Sequence, residues 1–376
     1  MRVLGGCRRR FGIVHVDSDT QRRPLKDGAL WGREVIKRNG LRGNQMRRPT
    51  LEAVAARAGV SRSTVSRVVN GHTTVTPDIR DVVMRAVNEL GYVPNGAARN
   101  LVTQRTNSVA LVVSEPPNRV FSDDPMFSTV IRSASIELEA VNMQVVLLLA
   151  GSPESHARVE TYVAGGHVDG VMLVSSHGAD PLPVALTRLR VPVVSYGRPA
   201  VPVAMPYVDS DNVGGAAAAV RHLLERGRRR IATIAGPLDM IGGQDRLAGY
   251  RDVLRDSDRR SIIAVGDFTR ESGAIAMRQL LADDPDLDAV FAANDLMAIG
   301  AMHALRQAGR RIPDDVAVVG YDDIEAARYT DPPLTTIHNP HAEQAAAMVR
   351  LLLGLLEGGS ADPSIVSTEL VVRTSS

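Results

Sequence analysis

The amino-acid sequence predicts an α/β protein with two doubly wound parallel sheets, preceded by a small helical domain. From residue 108 onward, short apolar runs rich in β-branched residues alternate with amphipathic helices. This pattern is typical of strands that are buried on both faces of a parallel sheet. Between residues 49 and 91, by contrast, the apolar residues follow helical spacing. A chain of 376 residues is long enough for two or three such domains.

Two short helices around a tight turn are predicted for residues 49–71. Thr50 is placed to cap the first helix, Gly59 to end it, and Ser61 to cap the second. The second helix turns valines inward and shows a polar, basic face, made of Arg62, Ser63, Ser66, Arg67 and Asn70. This helix-turn-helix pattern has the size and chemistry to enter a major groove of DNA. The alternative is an ordinary helical hairpin with a solvated polar face.

A third helix is predicted to begin with Thr76 as its cap and Pro77 in its first turn, and to end at Gly91. Its apolar residues, Ile79, Val82, Val83, Ala86, Val87 and Leu90, keep a helical register. The segment 94–101 that follows is a short helix candidate, weakened by Gly96. We expect it to order only when another surface docks against it.

Eight strands are predicted in the rest of the chain, with helices such as 214–226 between them. The strands are 109–113, 145–149, 170–174, 191–195, 231–235, 262–265, 289–292 and 316–319. In open parallel sheets, ligands bind beyond the carboxyl ends of the strands. Candidate binding residues therefore follow these runs: Arg246, Phe268, Asn294, Asp295, Asp322 and Asp323. The competing interpretations are helix caps for the Asn and Asp residues, and a surface ion pair for Arg246.

Composition excludes several classes of protein. The single cysteine, Cys7, rules out internal disulfides and cysteine-based metal clusters. No apolar stretch approaches the ~20 residues that span a bilayer, and residues 1–20 contain no signal-peptide core, so we expect a cytoplasmic protein without membrane contact. The chain contains no P-loop, no G-x-G-x-x-G after its first strand and no histidine pair at metal-ligand spacing. We therefore expect a protein that is not an enzyme, with no cofactor and no metal.

Charge is unevenly distributed along the chain. Residues 1–48 contain 13 Lys/Arg against 4 Asp/Glu, whereas the chain as a whole has a net charge of only +2. A basic front end suits contact with phosphates. Residues 1–47 show no periodicity and are predicted to be a disordered basic extension. It is either an arm that adds non-specific DNA affinity or an artefact of an upstream start codon; Met46, four residues before Thr50, favours the artefact.

Residues 48–376 resemble the lac repressor (LacI/GalR) family. The matching motifs are V-S-x-x-T-V-S-R-V-x-N at 60–70 and L-G-Y-x-P-N-x-x-A-R-x-L at 90–101, followed by R-x-x-G-Y from Arg246, A-N-D-x-x-A-x-G from Ala293 and V-G-Y-D-D from Val319. The resemblance implies a headpiece (48–93), a hinge helix and linker (94–106) and a two-lobed periplasmic-binding-protein-like core (107–376). Its N-subdomain would comprise 107–206 and 339–358, and its C-subdomain 207–338 and 359–376.

The same resemblance assigns expected roles to residues. The DNA contacts would be Thr50, Ser61, Arg62, Ser63, Ser66, Arg67, Asn70, Ala98, Arg99 and Leu101, with Leu101 wedged into a central minor-groove step. The effector contacts would be Met126, Phe127, Ser195, Tyr196, Arg246, Phe268, Asn294 and Asp322. One departure is that Ser195 and Tyr196 stand at the end of the fourth strand, where family members often have an acid.

The family resemblance implies a DNA-binding transcriptional regulator, in most members a repressor. We expect a homodimer on a palindromic double-stranded operator, released by a small-molecule effector. Few polar groups beside one aromatic face favour a sugar, and hence carbohydrate-utilisation genes. A nucleobase- or nucleoside-responsive, co-repressed regulator is the alternative, and an extracytoplasmic sugar-binding protein is a rival from another class. No heptad helix follows the last strand-like segment, 367–372, so a tetramer is not expected.

Overall fold

The computed structural model describes residues 49–71, 74–93, 105–178 and 180–376. The chain divides near residue 95 into two compact units, a helical headpiece and a larger α/β core. The predicted extension 1–47 lies outside the described residues, as do Ala98, Arg99, Leu101 and most of the predicted hinge segment.

The headpiece contains three helices in its described residues: α1 (Leu51–Ala58), α2 (Arg62–Val69) and α3 (Pro77–Leu90). The Thr50 hydroxyl accepts a hydrogen bond from the backbone N–H of Ala53, and the Ser61 hydroxyl accepts one from Thr64. Gly59 ends α1 with a φ of 66°, a left-handed conformation that glycine adopts at little cost. These three predicted caps are confirmed.

A small apolar core holds the headpiece together, formed by Val54, Ala55, Val65, Val68, Val83, Ala86, Val87 and Tyr92. Two details of α3 differ from the prediction. Thr76 precedes Pro77 as expected, but its side chain makes no capping hydrogen bond. Ile79 and Val82 are exposed, because the buried stripe of this helix is narrower than its apolar pattern.

The first lobe of the core is built on a six-stranded sheet in the order β11-β5-β4-β3-β1-β2, in which all neighbouring strands run parallel. These strands are β1 (Ser108–Val113), β2 (Gln144–Leu149), β3 (Gly170–Val174), β4 (Val193–Tyr196), β5 (Tyr207–Ser210) and β11 (Ser364–Val366). Its helices are α4 (Pro117–Val120), α5 (Pro125–Ala140), α6 (Pro153–Ala164), α7 (Leu182–Arg188) and α12 (His341–Leu356). Separate apolar clusters line its two faces, as in doubly wound folds.

The second lobe has a six-stranded sheet in the order β12-β10-β9-β8-β6-β7, which is parallel except for β12. Its strands are β6 (Ile231–Ala235), β7 (Ile262–Val265), β8 (Ala289–Ala292), β9 (Ala317–Asp322), β10 (Thr335–His338) and β12 (Glu369–Val371). Its helices are α8 (Asn212–Glu225), α9 (Ile241–Asp256), α10 (Arg270–Asp283) and α11 (Asp295–Gln307), with a 3₁₀ helix at Glu325–Tyr329. This architecture confirms the predicted fold class.

The chain crosses between the lobes three times, after β5, after β10 and after β11. Two strands correct the predicted subdomain boundaries, because 207–210 and 364–366 pair with each other and β5 pairs with β4 in the first sheet. Sequence pattern missed β5 because a strand of four residues that includes Asp209 and Ser210 has no apolar run. The crossings matter because they bring polar side chains from both lobes to one place.

The described residues contain no helix that is both long enough and apolar enough to cross a membrane.

Candidate functional site

A cleft between the two lobes lies beyond the carboxyl ends of the strands, where the chain crosses from one sheet to the other. It encloses about 820 Å³, including space open to solvent. Of the predicted effector residues, Met126, Ser195, Tyr196, Arg246, Phe268 and Asp322 line it. The structure therefore brings six of the predicted residues together from both lobes.

Arg246 is the most constrained side chain of the cleft. It lies on α9, is buried, and its Nε donates a hydrogen bond of 2.9 Å to Asn212 Oδ1. Its Nη1 donates to the backbone oxygen of Ala293 and lies 3.5 Å from Asp322 Oδ1. The guanidinium carbon stacks 3.7 Å above the Tyr321 ring. No described residue accepts a hydrogen bond from Nη2, which leaves one end of the guanidinium free to donate.

The contacts of the Asp322 carboxylate with Arg246, Asn339 and His341 are all made by one oxygen, Oδ1. Its Oδ1 accepts a hydrogen bond of 3.2 Å from Asn339 and lies 3.5 Å from Nε2 of His341. Burial opposes its ionisation, but the Arg246 charge and the His341 contact outweigh it, so the pKa of Asp322 is below its ordinary value. Within the part of the chain that the structure describes, no group donates to Oδ2. This side chain is an ionised acceptor with one oxygen available.

Three residues that line the cleft adopt backbone conformations with a positive φ, which side chains other than glycine usually avoid. Phe268 has a φ of 68°, Asp322 a φ of 108° and Ser175 a φ of 61°. The Phe268 carbonyl accepts a hydrogen bond of 3.0 Å from Asn294 Nδ2. Gly236 lies directly against the Phe268 ring, where a Cβ would collide with it. Such strain persists where the surroundings enforce it, and it clusters at functional sites.

The first lobe supplies a wall with buried polar groups. The Tyr196 hydroxyl is 2.6 Å from Nδ1 of His341, and burial raises the pKa of Tyr196 well above its ordinary value. Asp209 accepts hydrogen bonds from the backbone of Arg198 and from Asn212. Burial raises the pKa of Asp209 and also that of Asp124, which the charge of Asp322 raises further. Both carboxyls line the cleft.

Two predicted effector residues are corrected. Phe127 is buried in the apolar core of the first lobe and does not line the cleft, because it lies on the inner face of α5 beside Met126. Asn294 caps α11, its Oδ1 accepting a hydrogen bond of 2.9 Å from Met297 N, and does not line the cleft either. Its side-chain amide instead donates a hydrogen bond to the Phe268 carbonyl and so helps to position that residue.

Sequence analysis missed several cleft residues, namely Asp124, Arg198, Asp209, Asn212, Asn339, His341 and Gln344. Most of them lie at or next to the crossings after β5 and β10. Asp124 directly precedes α5, Asn212 is the first residue of α8 and His341 is the first residue of α12. A polar residue where a connection enters a helix was the only signal for these three, and the sequence analysis did not use it.

The two lobes are also joined by ion pairs around the cleft. Each pair links a side chain of one lobe to a side chain of the other at 2.6 to 3.1 Å. The pairs are His177 with Asp239, Arg198 with Asp245, and Arg270 with Asp123. Glu115, also in the first lobe, and Asp239 together raise the pKa of His177 to about 9, although burial opposes them. These contacts link the two lobes beside the cleft.

The headpiece presents its predicted DNA-contacting face on α2. Arg62, Ser63, Arg67 and Asn70 are exposed, whereas Ser66 is half-buried. The Ser61 hydroxyl lies 2.8 Å from that of Ser63, and Thr50 is exposed at the start of α1. Arg62 Nε lies 3.1 Å from Glu52 Oε1, so this arginine makes an exposed ion pair with α1.

Residues 49–71, 74–93, 105–178 and 180–376 contain no group of three or more His, Cys, Asp or Glu side chains arranged to hold a metal ion.

Comparison with known proteins identifies the family. A family model for bacterial regulatory proteins of the lacI family matches residues 50–95, and one for a periplasmic binding protein-like domain matches residues 220–376. The HTH-type transcriptional regulator CelR of Thermobifida fusca is 49% identical over 336 residues, which cover 88% of this chain and 98% of CelR. This chain belongs to the lacI family. It is a DNA-binding transcriptional regulator with a helix-turn-helix headpiece and a periplasmic-binding-protein-like core.

Two solved structures extend the comparison. A complex of the transcriptional regulator CelR with cellobiose is 46% identical, with a TM-score of 0.70, and the match covers 88% of this chain and all of that one. A lac repressor dimer bound to operator and an anti-inducer is 29% identical, with a TM-score of 0.77 over 87% of this chain and 98% of the other. Both relatives are regulators of transcription.

Proposed function

We propose that this regulator is a repressor of carbohydrate-utilisation genes whose effector is a cellobiose-like disaccharide bound in the cleft. The CelR–cellobiose complex, which matches 88% of this chain, supports this class of ligand. The effector would contact Arg246, Asp322 and Phe268 from the second lobe, and Met126, Ser195 and Tyr196 from the first.

The proposal rests on one observation: Arg246 and Asp322, which contact each other, each keep one polar atom without a hydrogen-bond partner. Arg246 Nη2 and Asp322 Oδ2 have no hydrogen-bond partner among the described residues, while the other polar atoms of both side chains are engaged. A donor beside an acceptor matches two neighbouring hydroxyl groups of a sugar, since each hydroxyl both donates and accepts. The Phe268 ring supplies a flat apolar face nearby.

A nucleobase effector fits the cleft less well. A purine is best held between two aromatic walls, and Phe127, the expected second wall, is buried in the core. Tyr196 lines the cleft, but its hydroxyl is held by His341 and its ring stands at 34° to that imidazole ring. The polar groups of the cleft thus favour hydroxyls over a flat base.

DNA binding would use α2 in the major groove, in a homodimer on a palindromic double-stranded operator. The lac repressor dimer bound to operator supports this arrangement. Arg62, Ser63 and Arg67 would face base edges, while Thr50, Ser61, Ser66 and Asn70 would contact the DNA around them. The sugar would bind the DNA-free state more tightly and so release the operator, with a coupling of typically about 1–3 kcal/mol.

Calorimetry on the full chain with cellobiose, alongside operator binding followed by fluorescence anisotropy, tests the proposal. Asp322→Asn keeps the size of the side chain but removes the charge, and should weaken cellobiose binding by ~10- to 100-fold. It should still bind operator and no longer release it. Asp315→Asn, in an exposed pair with Arg311, is the matched control and should behave as the wild type. Unchanged cellobiose affinity in Asp322→Asn, or binding of adenine but not of cellobiose, would refute the proposal.

A further inference from the structure

A second cavity opens in the first lobe, beside the cleft and at the same edge of the sheet. This side cavity encloses about 590 Å³, including space open to solvent. It is lined by Ser114, Glu115, Pro116, Ala150, Gly151, His156, His177 and Asp180. These residues follow β1, β2 and β3, so the side cavity continues the row of strand ends that forms the cleft.

Two residues that line the side cavity each have a buried side-chain oxygen without a hydrogen-bond partner in the described residues. Ser114 Oγ and Asp180 Oδ2 accept or donate no hydrogen bond within the described part of the chain, and each residue is only 8% exposed. The other carboxylate oxygen of Asp180 is engaged, since it accepts a hydrogen bond of 2.8 Å from Leu182 N at the start of α7. Buried polar atoms in proteins are nearly always hydrogen-bonded, because a buried polar atom without a partner is unfavourable. Two residues with such atoms around one cavity point to a polar ligand there.

The charges of the side cavity favour a ligand with hydroxyl donors. Glu115 and Asp180 are carboxylates, and the only cationic group in contact with Glu115 among the described residues is His177, which is shared with Asp239. An anion would therefore be repelled. A neutral sugar hydroxyl can donate to Asp180 Oδ2 and also exchange hydrogen bonds with Ser114.

The side cavity and the cleft share one wall. Ser175 lines the cleft, and its hydroxyl donates a hydrogen bond of 2.9 Å to Glu115, which lines the side cavity. Ser175 has a φ of 61°, a conformation that turns the chain sharply at this wall. Ser176 also lines the cleft, and its Oγ is a third buried oxygen without a partner in the described residues. Ser114 follows β1 and Ser176 follows β3, and these two strands are neighbours in the sheet, so the two spaces lie at adjacent strand ends.

We propose that the side cavity is a further sugar subsite, which accepts the terminal ring of a β-linked glucose oligosaccharide longer than a disaccharide. The inference rests on the proposed function, because the cleft would hold the other rings of the same molecule. A trisaccharide then gains hydrogen bonds to Ser114 and Asp180 that a disaccharide does not reach. The regulator therefore distinguishes oligosaccharides by length.

Calorimetry with cellobiose and cellotriose, on the full chain, measures this gain directly. Asp180→Asn retains the oxygen that caps α7 and replaces the free acceptor by a donor, and Ser114→Ala removes the free hydroxyl. Each variant should weaken cellotriose binding by about tenfold and change cellobiose binding by less than about twofold. In the wild type, cellotriose should bind more tightly than cellobiose.

Matched controls separate this effect from a general loss of structure. Asp211→Asn changes another helix-capping aspartate, which accepts from Gly214 N at 2.8 Å and lines neither space. Ser135→Ala changes a half-buried serine whose hydroxyl donates within α5. Both should bind the two sugars like the wild type. Equal affinities for cellobiose and cellotriose in the wild type, or equal losses for both sugars in the variants, overturn the subsite. Failure of both sugars to bind the wild type contradicts the proposed function itself.

Discussion

The second helix of the headpiece and the cleft of the core present their polar side chains in opposite ways. On α2, Arg67 is exposed and Arg62 makes an ion pair with Glu52 at the surface. In the cleft, Arg246 is buried, hydrogen-bonded to two groups and stacked on Tyr321 before any ligand arrives. The first surface is adaptable and the second is preorganised.

Because of this difference, the side chains of α2 contribute little to the stability of the fold, whereas those of the cleft contribute to it. Exposed ion pairs contribute little to folding, so side chains of α2 are free to be selected for DNA contacts alone. A buried charge without its partner is strongly unfavourable, so the buried charged side chains of the cleft, such as Arg246 and Asp322, also stabilise the fold. Substitutions on α2 should therefore change DNA binding without changing unfolding, while substitutions in the cleft should change both ligand binding and unfolding.

The largest effect is expected for Arg246→Ala. Loss of the guanidinium leaves the buried Asp322 carboxylate without its cationic partner, and leaves Asn212 Oδ1 and the Ala293 carbonyl without their donor. The free energy of unfolding should fall by about 3–5 kcal/mol. Urea denaturation followed by circular dichroism measures this loss. Arg311→Ala, which removes an exposed arginine paired with Asp315, is the matched control and should lose little stability.

A double substitution distinguishes the buried charge from simple loss of packing. Arg246→Met together with Asp322→Asn removes both charges, and should recover part of the stability that Arg246→Ala loses. It should not recover sugar binding. If the double variant is as unstable as Arg246→Ala, packing of the arginine against Tyr321, rather than its charge, stabilises this region.

The second prediction concerns Arg67→Ala on α2. An arginine that contacts a guanine edge provides ~1–3 kcal/mol of discrimination, so the variant should lose its preference at one base pair in each half-site. Selection of binding sites from random DNA reports this preference, and unfolding should be unchanged because the residue is exposed. Arg57→Ala, on α1 and paired with Glu89, should keep the wild-type base preference. A wild-type preference in Arg67→Ala as well would assign Arg67 to the phosphates.

The two regions also differed in how far the sequence predicted them. The face of α2 follows from local helical spacing and its caps, and every residue needed for it lies within about ten positions. Arg246, Phe268 and Asp322 were predicted because they follow apolar strands and lie in family motifs. Asn212 and His341 were missed because each lies where the chain crosses from one sheet to the other. The position of such a crossing can be predicted only when the strand before it is assigned to a sheet, and β5 was not recognised as a strand.

Phe127 and Asn294 were wrongly predicted to line the cleft because the sequence pattern does not give the direction of a single side chain at a helix. Met126 and Phe127 are adjacent, so only one of them can point to the cleft, and the apolar pattern of α5 does not decide which. Asn294 was predicted as a ligand contact, whereas its cap geometry and its hydrogen bond to Phe268 give it a supporting position. Short-range pattern identifies an element well, but the direction of a single side chain depends on packing.

The third prediction tests whether preorganisation extends to Phe268. Gly236→Ala places a methyl group where the ring now lies, so the ring must move, and we expect sugar affinity to fall by roughly tenfold. Calorimetry with cellobiose measures this change, and thermal unfolding shows whether the fold is kept. Gly354→Ala on α12, where a Cβ meets no atom within 4 Å, is the control. Wild-type affinity in Gly236→Ala would show that the ring is not a wall of the site.

The smallest effect is expected at the rim of the cleft, where His177 bridges Glu115 and Asp239. The pKa of His177 is raised from 6.5 to about 9, chiefly by its hydrogen bond with Glu115, so its charge stabilises the folded state fully below pH 6.5. That contribution is lost as the pH rises through about 9. Solvent screening should limit it to about 1 kcal/mol, or ~2–4 °C in Tm. His177→Gln should therefore have a lower Tm than the wild type at pH 6, and the difference should shrink by pH 9.5. A difference that is constant with pH would assign the contribution of His177 to packing, and the rim would then resemble the preorganised cleft rather than the exposed ion pairs of α2.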